Sequence, residues 1–292
     1  MNRVLKIIHA SYAYERGIYG SGIPVAILDT GVYPHQAVRD RILSFHDFVG
    51  EQKKCYDNNG HGTHISGIVG GYLPAQQFQG VAPRCGFHIY KVLNAMGNGK
   101  IDVLIAALRQ ILEEQPKNQI RVMNISVGMT QNPGQAQQQR LIEVIDAVWQ
   151  AGIIVVAAAG NNGPGENTIT CPGIAKKIIT VGSADDQKTM LGHGLKRGYS
   201  GRGPTRDCIV KPEILAPGTG IRSCGNMGTR SFSIKSGTSM AAPVVTGMLA
   251  LLLEKYPGLT PNQVKRHLYD TCIPAPEELG CWGYLSVPKL LA

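Results

Sequence analysis

Three polar residues stand where chemistry could be done. Asp29 closes the apolar run Val25-Ala26-Ile27-Leu28 and precedes Thr30-Gly31, so its carboxylate falls at the end of a buried strand. His61 sits in NNGHGTHISGIVGG, where glycines give way to a helical pattern, and this puts an imidazole near a helix N-terminus. Ser239 sits in SGTSMAAP at the head of a long apolar stretch. Each residue type alone more often caps a helix or forms a turn. Together they make a working set. A serine hydroxyl is a poor nucleophile until a base takes its proton, and a neutral imidazole needs a buried carboxylate to fix its tautomer and stabilise the imidazolium.

The elements that must position these residues are legible as short apolar runs alternating with helical patterns. Ile23 to Leu28, Phe87 to Leu93, Arg121 to Val127, Ile153 to Ala159 and Lys177 to Val181 each read as a buried strand. Ile101, Leu104, Ile105, Leu108, Ile111 and Leu112 follow the spacing of a core-facing helical stripe, and Leu141, Val144, Ile145 and Val148 repeat it. Such alternation predicts an α/β fold: a doubly wound, mostly parallel sheet with helices on both faces and right-handed crossovers. In that architecture the crevice lies beyond the carboxyl ends of the strands, so residues that do chemistry should follow strands directly. Ser239 to Tyr256 is apolar on nearly all sides and reads as a central buried helix, and Thr260-Pro261 reads as an N-cap with a first-turn proline. With no linker, repeat or low-complexity tract, residues 1–292 are expected to form a single domain with no evident pro-segment.

Composition bounds the classes of partner. The chain has 292 residues, of which 17% are charged and 36 are Gly, as suits a globular enzyme rich in tight turns. The net charge of +9 is spread over the sequence in pairs such as Lys53-Lys54 and Lys176-Lys177, without interleaved aromatics. A solvated basic face is therefore the expectation, and nucleic acid is not an expected partner. No stretch approaches the roughly 20 apolar residues of a membrane span, so no membrane partner is expected. The seven cysteines are odd in number and contain no CxxC pair, and the N-terminal segment lacks the apolar core of a signal peptide. Both features suggest a cytoplasmic chain with reduced thiols, a secreted and already processed chain being the alternative. Oligomeric state is not readable.

Viewed together, DTG, HGTH and GTSMAAP, in the order Asp, His, Ser, resemble the subtilisin-like serine proteases, the subtilase family. GVAP at 80–83, YKVL at 90–93, NISVG at 124–128, AAAGN at 157–161 and APG at 216–218 recur in that family's order, so the resemblance covers nearly the whole chain. It implies a serine endopeptidase acting on polypeptides, with Ser239 as nucleophile, His61 as general base and then acid, and Asp29 orienting His61. By the same match, Asn161 and the Ser239 backbone amide are the oxyanion donors. The resemblance also implies that an extended peptide lies between Gly97-Asn98-Gly99-Lys100 and Ser126-Val127-Gly128, since backbone pairing gives affinity without dictating sequence. The specificity pocket would be walled by 126–128, Ala159 to Asn162, and Thr170-Cys171-Pro172-Gly173.

The sequence departs from the family at several points. Met129 follows Ser126-Val127-Gly128 where a Gly is usual, and Thr170 stands at the pocket base where Gly is common and would disfavour bulky side chains. His35-Gln36-Ala37 replaces the usual His-Pro-Asp, and YLPAQQFQG after HISGIVGG offers no carboxylate, whereas calcium needs six to eight oxygen ligands with charge among them. No cofactor is expected to be required and the usual calcium site is expected to be absent, although isolated Asp residues leave a weak site open. His64, three residues after His61, lacks the Glu of HExxH and reads as a structural helix histidine rather than a zinc ligand. Cys171 reads as a small buried apolar residue. Val244 replaces a His that is not part of the triad. A binding protein on the same fold and an esterase with the same triad are the competing readings. The esterase motif GxSxG, with its Ser, Asp, His order, is absent.

Overall fold

The computed structural model describes residues 1–127, 134–187, 197–208 and 210–292. In chain order, two short helices α1 (Asn2–Ile7) and α2 (Ser11–Tyr14) lead to strands β1 (Pro24–Asp29) and β2 (Ile42–Asp47). Helix α3 (His61–Gly70) runs into a small hairpin of β3 (Tyr72–Leu73) and β4 (Phe78–Gln79), and β5 (Gly86–Lys91) follows. Then come α4 (Ile101–Asn118), β6 (Val122–Ile125), α5 (Gln135–Gln150), β7 (Ile154–Ala158), β8 (Ile179–Ser183) and β9 (Ile214–Ala216). The hairpin β10 (Ile221–Cys224) and β11 (Phe232–Lys235) feeds α6 (Thr238–Lys255), and α7 (Pro261–Thr271), β12 (Ile273–Pro274), β13 (Gly283–Tyr284) and α8 (Val287–Leu290) complete the chain.

Among the described residues the main sheet has nine strands in the order β12-β13-β9-β8-β7-β6-β1-β5-β2. Every adjacent pair is parallel except β12 with β13. The doubly wound fold expected from the alternating pattern is therefore present. The five apolar runs became β1, β5, β6, β7 and β8, with ends shifted by one or two residues. β1 is an interior strand, with Ile27 facing Ile89 of β5 on one side and Asn124 of β6 on the other. Its last residue, Asp29, pairs with Lys91, so the carboxylate is delivered to the carboxyl edge of the sheet.

Two helices bring chemistry to that edge. α6 carries Ala, Val, Leu and Met around its whole circumference, and from Met240 to Leu253 every residue is buried. Each such aliphatic side chain contributes roughly 1.5–3 kcal/mol relative to an exposed one, so this helix fixes the molecule's centre and holds Ser239 at its first turn. α3 packs close to β1 and β10 because its glycines have no Cβ: one on Gly62 would overlap the carbonyl of Gly31, and one on Gly67 would strike Ser223 and Cys224. α7 begins with the anticipated Thr260-Pro261 start, closed by a capping box in which Gln263 N–H donates to Thr260 Oγ1.

Candidate active site

Asp29 is wholly buried, and its Oδ1 accepts from His61 Nδ1 at 2.7 Å and from Thr30 N–H at 2.8 Å. A carboxylate only accepts here, so the proton of neutral His61 sits on Nδ1 and the lone pair on Nε2. Burial pulls the His61 pKa down, but the charge of Asp29 and its hydrogen bond outweigh this, and the net displacement is upward. Lys235 opposes that rise and Asp57 adds to it.

Ser239 occupies the first turn of α6, next to the sharply turned Gly237 at φ +144°. Its hydroxyl donates to the carbonyl of Ser126 at 3.0 Å, and Ser126 Oγ donates back to the carbonyl of Ser239 at 3.1 Å. The serine-to-imidazole hydrogen bond that the triad reading expects is not formed in this rotamer, because Ser126 competes for the proton. Such bonds are often loose before substrate arrives. Asn161 lies alongside. Its Oδ1 accepts from Thr238 N–H at 2.9 Å and from Thr238 Oγ1 at 3.2 Å, which leaves its Nδ2 close to Gly237 and without an acceptor among the described residues. Thr238 Oγ1 also receives Gly160 N–H at 3.1 Å, so one threonine sets both the amide orientation and the turn before it.

The expected substrate edges border this centre. The turn at 94–98 is closed by Gly97 N–H to Asn94 O and Asn94 N–H to Asn98 O, and Asn59 Nδ2 ties it to the His61 loop through Ala95 O at 2.9 Å. Gly97 has φ +77°, which its lack of a Cβ permits, and Gly99 and Lys100 lead into α4. Ser126 and Val127 are buried beyond β6, while Gly128 and Met129 lie outside the described residues. Thr170 is half-buried, its N–H bonded to Ala159 O at 3.0 Å, and its side chain fills the space above Gly160. Cys171 beside it is buried and its thiol is pushed up to about 12 by desolvation, so it is a protonated, unreactive group.

The family model for subtilases matches residues 20–283. The chain belongs to the subtilase family. Serine protease AprX of Bacillus subtilis (strain 168) is 38% identical to it over 287 residues, covering 89% of this chain and 64% of that protein. The chain thus spans a little under two thirds of the length of that relative. Subtilisin DY of Bacillus licheniformis is 31% identical over 269 residues, covering 91% of this chain and 89% of that one. The crystal structure of a cold adapted subtilisin-like serine proteinase superposes with a TM-score of 0.75 at 28% identity, covering 92% and 90% of the two chains.

Several residues of this subtilase site carried no signal of their own in the sequence. Asn124 donates to Ser126 Oγ at 2.8 Å and accepts from Thr246 Oγ1 at 3.0 Å, so a buried polar ladder from β6 to α6 backs Ser239. The NISVG block contained Asn124 but said nothing of its partner. Lys91 is buried and donates to Thr30 O at 2.6 Å, Leu93 O at 2.9 Å and Asn58 Oδ1 at 3.2 Å. Its place in an apolar strand next to Asp29 was the one available hint. His64 donates from Nε2 to Ile221 O at 3.0 Å, and burial with the nearby His61 and Lys235 charges takes it down to about 3, so it is a neutral helix histidine.

Proposed function

We propose that this chain is a serine endopeptidase that cleaves polypeptides through an acyl-enzyme on Ser239. The observation that carries the reading is the convergence of three groups at one edge of the sheet. A buried Asp29 is bonded to His61 Nδ1, a serine stands at the head of a buried helix, and an asparagine amide has its oxygen fixed by Thr238. In the proposed reaction the Ser239 hydroxyl leaves Ser126 O and turns to His61 Nε2, which takes its proton as Oγ bonds to the scissile carbonyl carbon. The carbonyl π pair becomes the oxyanion and is received by Asn161 Nδ2 and the Ser239 N–H, an amide with no intrahelical acceptor at this position of a helix. His61 then gives the proton to the leaving amine, the C–N bond breaks, and water repeats the sequence on the acyl-enzyme. Asp29 stays ionised throughout and stabilises the imidazolium.

The substrate would lie extended between 97–100 and 126–128, with its side chain before the cut received by 159–162 and 170–173. Thr170 over Gly160 narrows that wall and disfavours large aromatics. We read residues 1–292 as one peptidase domain requiring no cofactor. Asp47 already accepts Val49, Gly50 and Gln52 N–H and the Tyr56 hydroxyl, and Asp185 accepts Gly218 and Thr219 N–H and pairs with Arg3, so these carboxylates are satisfied by protein donors. An unchanged melting temperature with chelator is the expected result. All seven cysteines are free, which fits a reducing compartment. Thiol counting on native protein should find seven. The reading as a whole is tested by casein and short-ester turnover: both activities should vanish in Ser239→Ala. Ester turnover without casein cleavage would favour an esterase, and no turnover by the unsubstituted chain would favour a binding protein.

A further inference from the structure

Helix α3 starts on His61 itself, so whatever caps that helix also aims the proposed base. The residue before it, Gly60, has φ +90° and no side chain to offer. The role falls to Asp57, a carboxylate only 4% exposed that collects five donors. Its Oδ1 accepts from Thr30 Oγ1 at 2.9 Å, Asn59 N–H at 3.1 Å and Gly60 N–H at 2.8 Å, and its Oδ2 accepts from Thr63 N–H at 2.9 Å and Thr63 Oγ1 at 2.6 Å. Thr30 completes the connection. Its hydroxyl, held by Asp57, accepts Gly62 N–H at 2.9 Å, and its own N–H donates to the same Asp29 oxygen that His61 uses. One carboxylate therefore ties the tail of β1 to the head of α3, the two segments whose relative placement fixes the Asp29–His61 bond.

Burying a second carboxylate a few residues from Asp29 is costly unless it is fully satisfied. A neutral Asn or Ser would cap a helix without that cost. We propose that Asp57 is a positioning residue of the reaction, one that sets the angle between Asp29 and the His61 ring and supplies a second negative charge to the imidazolium. The inference rests on the reading of His61 as general base. The charged and titratable groups facing His61 are Asp29 on β1, Asp57 on the loop, Lys235 on β11 and His64 on α3 itself. The group facing Asp57 from β5 is Lys91, whose ammonium is drawn down by burial and held up by Asp57, Asp47 and Asp29.

The test is a pair of variants followed by active-site titration, so that rates refer to folded sites. Asp57→Asn keeps the shape but presents an amide to Thr63 N–H or to Gly60 N–H and removes the charge. Thr30→Val removes the hydroxyl that joins Asp57 to β1 and to Gly62 N–H, while the Thr30 N–H bond to Asp29 and the Asp57 charge are kept. A misplacement of catalytic groups by about 1 Å costs on the order of 100-fold. We expect kcat to fall about 30- to 100-fold in Asp57→Asn with KM within about twofold, and the acid limb of kcat/KM against pH to move to lower pH, because the imidazolium has lost a stabilising charge. Thr30→Val should lower kcat with its acid limb in place. An Asp57→Asn enzyme with fewer titratable sites but unchanged kcat and acid limb per site would reduce Asp57 to a structural cap and overturn the proposal. If Asp57→Asn does not fold, Thr30→Val with undiminished kcat overturns it equally. Loss of turnover already in the unsubstituted chain would refute the peptidase reading instead, so the two failures are distinct.

Discussion

The heads of α3 and α6 face the same crevice and are finished in opposite ways. At α3 the exposed donors are consumed internally: Gly60 and Thr63 N–H by Asp57, Gly62 N–H by Thr30 and His61 N–H by Asn59 Oδ1 at 3.2 Å. At α6 the first donor, Thr238 N–H, is given to Asn161, and among the described residues the next, that of Ser239, meets no acceptor and the Asn161 amide no partner. A helix N-terminus is a natural anion site because its N–H groups and dipole point outward. In the proposed mechanism, closing one end makes it a rigid mount for a base, and leaving the other open makes a receptor for charge that appears only during reaction. Differential stabilisation of the transition state requires the second kind of end, and reliable proton transfer requires the first.

The contrast can be broken at either end. The largest expected effect is at Ser239: Ser239→Ala should lower kcat by about 10⁶-fold, the scale set by subtilisin itself, with casein binding retained. Next, Asn161→Ala removes the side-chain donor from the open end. In subtilisin the corresponding loss is about 2.7–4 kcal/mol, and we expect kcat to fall by roughly 10²–10³-fold with little change in KM. Full turnover in Asn161→Ala would show that the open end does not receive charge. Smaller effects come from charges around the closed end. Lys235 lowers the His61 pKa, so Lys235→Met should let it rise and move the acid limb to higher pH, opposite in sign to Asp57→Asn. A shift of Lys235→Met in the same direction as Asp57→Asn would contradict the electrostatic picture. The smallest change in turnover should come from Ser126→Ala, which removes the hydrogen bond to the Ser239 carbonyl and the acceptor of Asn124 Nδ2, losses of about 0.5–1.5 kcal/mol each that fall mainly on stability. We expect a loss of no more than about tenfold in kcat.

The sheet's centre was legible because parallel strands buried on both faces must be apolar runs, and β1, β5, β6, β7 and β8 are such runs. Its edges were not. β2 carries Ser44, His46 and Asp47, and β12 and β13 are two residues each, too short or too polar to leave a periodic trace. Asp29, His61, Ser239 and Asn161 were readable because their types form one chemical set and their motifs occur in family order. Asp57, Thr30, Thr238 and Asn124 were not, since residues that act through hydrogen bonds across 27 to 122 positions have no local signature. No Ser239–His61 hydrogen bond is formed in the resting geometry, where Ser239 Oγ donates to Ser126 O. Ser126, read as part of a substrate edge, also hydrogen-bonds Ser239 at both its hydroxyl and its carbonyl.

In the proposed mechanism Ser239, and no other serine, is made nucleophilic at the open helix end by the base mounted on the closed one. Reaction with a fluorophosphonate followed by mass mapping of the digested chain tests this directly. One adduct is expected, on the peptide bearing Ser239, absent from Ser239→Ala and strongly slowed in His61→Ala. An adduct on another residue, or a folded chain that takes no label, would contradict it.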